Sequence, residues 1–129
     1  MPAVFLLLLL SCASDTIKAQ LGEEFSLRAG QTAVFYGEDL KIKFKNVTED
    51  SRCPRNVTCV WAGVARMAIE VTGSGTTEIV TLVEPGLTDR SPPAIYRTYL
   101  VDFQLKPYPE AGKEITPDQY RLQMTVRLK

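Results

Sequence analysis

Every second residue from Tyr120 to Leu128 is apolar: Tyr120, Leu122, Met124, Val126 and Leu128 alternate with Arg121, Gln123, Thr125 and Arg127. A period of two puts each set on its own face of a pleated strand, and a slip of one residue would expose the whole apolar set. The same alternation recurs along the chain. Leu40, Ile42 and Phe44 oppose Lys41, Lys43 and Lys45; Ala65, Met67, Ile69 and Val71 oppose Arg66 and Glu70; Tyr99, Val101, Phe103 and Leu105 share a face within residues 95–105. Shorter extended pieces fall at 25–28 and 32–36, and Gly73-Ser74-Gly75 marks a hairpin turn into a strand over 76–83. No stretch carries a helical apolar stripe of ten or more residues. About seven strands with closely spaced turns predict an all-β, antiparallel two-sheet sandwich over residues 24–129, with a small closed β-barrel as the alternative.

Residues 84–94 hold three prolines, a glycine and Asp89-Arg90, which predicts a long exposed loop. A second proline-marked connection spans 106–117 and leads into the last strand. Asp118-Gln119-Tyr120 there resembles the tyrosine corner of immunoglobulin-like sandwiches, in which a Tyr hydroxyl ties a connection to the sheet. That resemblance implies an immunoglobulin-like arrangement; the plainer reading makes Tyr120 the first core residue of the strand.

A chain of 129 residues holds one core, which argues against a multidomain enzyme. Fifteen Lys and Arg balance fifteen Asp and Glu, so no global positive field exists to hold nucleic acid. Histidine is absent, which removes the commonest general base and metal ligand. No Gly-rich phosphate loop precedes a helix, and the acidic pairs Glu23-Glu24, Glu38-Asp39 and Glu49-Asp50 are merely neighbours in sequence. Calcium has no Asp-rich loop with ligand spacing, and zinc would have two cysteines where it needs about four ligands. The expectation is a protein that is not an enzyme and carries no metal or cofactor.

The apolar run over residues 4–10 is too short to span a bilayer and reads as a signal-peptide core, although Met1-Pro2-Ala3 supplies no basic n-region. Leu9-Leu10-Ser11-Cys12 resembles the lipobox of bacterial lipoproteins. The resemblance implies a signal peptide over 1–11, Cys12 as a lipidated mature N-terminus, and a location in the bacterial cell envelope. Residues 12–23, polar and without an apolar period, then read as a flexible tether. With Cys12 acylated, the odd count of three cysteines leaves Cys53 and Cys59 as a pair in a compartment where thiols oxidise.

Those two cysteines lie in the most distinctive stretch of the chain, Asp50-Ser51-Arg52-Cys53-Pro54 followed by Val57-Thr58-Cys59-Val60-Trp61-Ala62-Gly63. It resembles a signature of small bacterial lipoproteins and secreted β domains of uncharacterised function, which implies an envelope location and a disulfide in this loop but no activity. A ring with so few residues, stiffened by Pro54, is worth about 2–3 kcal/mol on a chain-entropy account. Trp61 has two readings: it covers the disulfide and plugs one end of the sandwich, or it stands out as an anchor for a partner. Asp50 and Arg52 likewise form an internal pair that fixes the loop, or part of a recognition surface with Pro54 and Arg55.

These features point to a membrane-anchored extracytoplasmic binding or structural module, offering the disulfide loop and the 84–94 loop to an envelope or extracellular protein or glycan. One alternative is a protease inhibitor that presents Arg55 behind Pro54 as rigid bait. Another is polyanion or glycan binding through Lys41, Lys43 and Lys45, joined by Arg127 and Lys129.

Overall fold

The computed structural model describes residues 15–88 and 91–129; the expected signal peptide and Cys12 lie outside the described residues. The strands are β1 (Thr16–Ala19), β2 (Phe25–Leu27), β3 (Thr32–Phe35), β4 (Lys41–Asp50), β5 (Val64–Gly73), β6 (Thr76–Pro85), β7 (Ala94–Tyr96), β8 (Tyr99–Lys106) and β9 (Arg121–Leu128). They form two open sheets, one ordered β1-β3-β4-β5-β6 and the other β2-β9-β8-β7. The fold is therefore the expected all-β sandwich, and the closed barrel is not formed. Pairing is antiparallel throughout except between β1 and β3, which run parallel.

The alternating apolar sets meet between the sheets. Ile42, Phe44, Met67 and Ile69 face Leu27, Leu105, Leu122 and Met124, all buried. The β8–β9 register sets Leu105 beside Leu122, Phe103 beside Met124 and Val101 beside Val126, so one face of that pair is continuously apolar. Among the described residues, every buried residue of this core lies between Ala19 and Val126.

Strand β4 breaks the simple period, which is why its alternation is readable only as far as Lys45. Register shifts fall between Phe44 and Asn46 and between Val47 and Glu49. Each bulge inserts one unpaired residue and reverses which parity faces inward. The even residues Ile42 and Phe44 point in, then Val47 beside buried Met67, and after the second reversal Asp50 beside buried Ala65. The two reversals cancel, and a carboxylate faces the interior at the end of the strand.

Four sequence expectations need correction. Residues 16–19 are not tether but an edge strand, with Ala19 buried and Ile17 packed on the core; parallel pairing with β3 supplies the order that their polar sequence does not announce. Residues 95–105 are two strands and not one, divided at Arg97-Thr98. Arg97 takes a positive φ of 53° there, held by stacking on Tyr96 and by a 2.8 Å hydrogen bond from its Nη2 to Thr76 Oγ1. Glu84 and Pro85 complete β6 and do not open the following loop, because Glu84 is needed inside. Leu128, counted with the inward face of β9, lies beyond the edge of the core and is exposed.

Phe44→Ala empties the middle of the core between the sheets and is expected to cost about 3–5 kcal/mol of unfolding free energy, measured by urea titration. A loss under about 1 kcal/mol would mean that the sheets do not pack through this position.

Candidate functional site

The interior end of β4 leads directly into the cysteine loop, and Arg52 at the junction organises everything around it. Its side chain has no solvent exposure, yet all five of its N–H donors are used. Nε donates to Asp50 Oδ1 at 2.8 Å and Nη2 to Asp50 Oδ2 at 2.9 Å, a bidentate fork. Nη1 donates to Glu84 Oε2 at 2.8 Å and to the Leu105 carbonyl at 3.0 Å, and Nη2 also reaches the Pro107 carbonyl at 3.1 Å. The Tyr108 ring lies 5.0 Å from the guanidinium. One side chain therefore joins β4, β6 and the end of β8.

Both carboxylates are completed from elsewhere. Glu84 Oε1 accepts from the Leu105 N–H at 3.1 Å and from Ser91 Oγ at 3.0 Å. Asp50 Oδ2 accepts from the Tyr120 hydroxyl at 2.7 Å. Tyr120 thus ties the entry of β9 to the opposite sheet through a side chain, half-buried against the core. It does not bond the backbone of its own connection as a tyrosine corner would. Burial alone would raise the Asp50 carboxyl, but hydrogen bonds from Arg52 and Tyr120 and the Arg52 charge outweigh it and hold Asp50 below its ordinary value. Burial opposes the charge of Arg52 too, and its bonds to Asp50 and the charges of Asp50 and Glu84 more than restore it. Burial and then the bond to Asp50 push Tyr120 up to about 12.

The expected ring is present: Cys53 and Cys59 form a disulfide with Cα atoms 5.9 Å apart. Inside it, the Val57 N–H bonds the Pro54 carbonyl at 3.3 Å, and Arg55 donates its N–H to the Pro109 carbonyl at 3.1 Å. Asn56 Oδ1 accepts from the Ala111 N–H at 2.8 Å. The loop is sewn to residues 107–111, and Tyr108 is the main stitch. Its hydroxyl donates to the Cys53 carbonyl and accepts from the Leu87 N–H, each at 2.8 Å, while Arg55 stacks on its ring at 5.1 Å.

Tyr108 occupies the place beside Cys53 that a covering Trp61 would fill. Trp61 instead is 81% exposed and its neighbour Val60 90%, so the covering role assigned to Trp61 is overturned. Their outward position follows from the backbone. Paired contacts of Ser51 with Val64 and of Cys53 with Ala62 extend the β4–β5 ladder to the base of the ring. Gly63, at φ 72°, lies so close to the Ser51 carbonyl that a Cβ would collide with it, and Gly86 lies equally close to the Ala62 carbonyl. Ala62 and Gly63 are thereby pressed beside Gly86, next to which Leu87 is also exposed.

The other sequence candidates fall elsewhere. Asp50 and Arg52 are an internal pair and offer no recognition surface. Arg55 is exposed but held against Tyr108, within a turn unlike the extended segment a protease would accept as bait. Lys41, Lys43 and Lys45 lie on β4, in the middle of one sheet, whereas Arg127 lies on β9 of the other sheet, bonded to Asp102 at 3.0 Å. Those cations do not form one face. The acidic candidates are likewise dispersed: Glu38 accepts from the Tyr99 hydroxyl, Asp39 from the Ser74 N–H and Glu49 from Arg66.

Protein-family models, curated proteins and solved structures include no match to this chain.

Removing the Arg52 charge strands two buried carboxylates. Arg52→Met should cost about 3–5 kcal/mol in urea unfolding, and Arg52→Lys should fail to restore it because an ammonium lacks the fork. Wild-type stability after Arg52→Lys would show that the planar geometry is not needed. The pH dependence follows from the same shifts. The lowered Asp50 contributes stability that is complete above its ordinary value of 3.8 and is lost as pH falls below it toward the folded value. The raised Tyr120 contributes stability that is complete below pH 10.0 and is lost as pH climbs to about 12. Tyr120→Phe should cost about 1.5–3 kcal/mol at neutral pH and flatten the alkaline limb, read by thermal melts across pH.

Proposed function

We propose that this chain is an extracytoplasmic binding module, held on the bacterial envelope by a lipid on Cys12, that engages its target through the tip of the disulfide loop. The observation that carries the reading is the division of labour within residues 50–63. Asp50, Ser51, Arg52, Cys53, Cys59 and Gly63 each close a pairing, a bridge or a tight approach. Val60 and Trp61 support none of this, and among the described residues they have no bonding partner. A large apolar pair kept in water on a frame this rigid costs solubility without aiding the fold, and pre-ordered aromatic anchors of this kind dominate binding energetics elsewhere.

Among the described residues no three His, Cys, Asp or Glu side chains converge as metal ligands, and the buried charges are spent on one another. What the module binds, protein, glycan or lipid, would be met by shape and apolar contact at the tip.

Two measurements test the two halves. Labelled fatty acid should enter the protein in a bacterial host and be lost in Cys12→Ser; equal labelling of both would remove the anchor. The soluble chain from Ala13, which retains every core residue described above, should co-sediment with purified envelopes, and Trp61→Ser should weaken this about ten-fold or more with an unchanged melting curve. Equal sedimentation of both proteins, or of neither, would take the loop out of recognition.

A further inference from the structure

Read backward from Thr16, the first strand heads toward the end of the sandwich that carries the apolar tip. Thr16 pairs with Thr32, Thr32 with Lys43 and Lys43 with Glu70, so these residues share one level across the sheet. β1 is parallel to β3 and therefore antiparallel to β4, so going backward from Thr16 the chain heads the way β4 runs, toward Asp50 and the disulfide ring. The start of β1 is fixed in that direction: the Thr32 N–H bonds the Asp15 carbonyl at 2.7 Å, and Arg28 pairs with the Asp15 carboxylate at 3.4 Å. Asp50 pairs with Ala65, five residues along β5 from Glu70, or about 17 Å. Cys12 lies four residues before Thr16 and has a reach of at most about 14 Å. The anchor can thus come nearly level with the base of the ring.

From this we propose that the occupant of the tip is the bilayer itself: Val60 and Trp61 rest in the headgroup layer of the membrane that holds the Cys12 lipid. The inference rests on the lipid-anchor reading above and names the partner of that same site. The chemistry of the ring suits it. Residues 53–63 contain no acidic side chain and one cation, Arg55, which is exposed toward the same end. Tryptophan, with an apolar body and a polar N–H, favours the membrane–water boundary, and Val57 and Leu87 add exposed apolar surface nearby. The covalent anchor keeps the tip at high local concentration against the bilayer, so a weak insertion is enough to set orientation. The sandwich then lies tilted, with the β1 edge and the ring both at the surface and the opposite end toward the aqueous space.

The single tryptophan is its own reporter. The lipidated full-length product is reconstituted in protein-free vesicles of phosphatidylethanolamine and phosphatidylglycerol, and Trp61 emission is compared with that of the soluble chain from Ala13. The expected result is a shift to shorter wavelength, quenching by lipids brominated high on the acyl chains, and about two-fold or greater protection from aqueous acrylamide. Val60→Asp, at a position too exposed to affect folding, should abolish all three while fatty-acid labelling and the melting curve stay unchanged. Emission and acrylamide quenching identical to the soluble chain would overturn the inference and leave the anchored-module reading standing. A shift that appears only when envelope proteins are added would overturn it in favour of a protein partner. Absence of lipid on Cys12 would overturn the inference and the anchor reading together.

Discussion

A buried guanidinium with five satisfied donors is the condition on which the loop end of this sandwich depends. Taking Arg52 out of water is costly, and the cost is offset only because the Asp50 fork, Glu84 and two carbonyls converge on it with short geometry. The convergence draws on β4, β6 and the chain after β8, so those elements cannot shift independently without stranding a charge. Arg52 is better understood as fixing a unique arrangement than as adding net stability, since a well-packed apolar cluster of similar volume often does as well energetically. The disulfide, the Tyr108 bonds and the glycine contacts then build outward from that fixed point.

Rigidity at the base makes sense of exposure at the tip. Trp61 and Val60 cannot fold back over the ring, because Tyr108 already fills the space beside Cys53 and the close approach of residues 62 and 86 leaves no slack. The molecule retains an apolar surface that a more flexible loop would hide, and a contact made there would carry little further ordering cost.

The strands with clean alternation, β5 and β9 and the later part of 95–105, were legible because both their faces obey one rule and the rule is local. The failures have equally specific causes. Residues 16–19 are ordered by a parallel neighbour, and their own alternation, Ile17 and Ala19 against Thr16 and Lys18, is too short to announce a strand. The Arg97-Thr98 turn lacks the glycine or asparagine that usually signals a positive φ, and its stabilising contacts come from Thr76 and Tyr96. Among site residues, the cysteine pair and the Asp50–Arg52 contact could be read from adjacency. Glu84, Tyr108 and Leu105 could not, because they join Arg52 from 32 to 56 positions away. A glutamate beside a proline looks like loop, and only the buried cation explains why it is not.

The paired bulges of β4 carry a consequence of their own. Because each one exchanges the inward and outward sets, their effects cancel, and Asp50 returns to the parity it would have had on an uninterrupted strand. Lys45 and Thr48 are the residues left without a partner in the β4–β5 register, and loss of either would close its bulge with Asp50 still opposite Ala65. The two bulges are thus places where this strand can change length by a single residue without turning the Asp50 carboxylate to solvent, so the fork on Arg52 is insulated from the commonest kind of length variation.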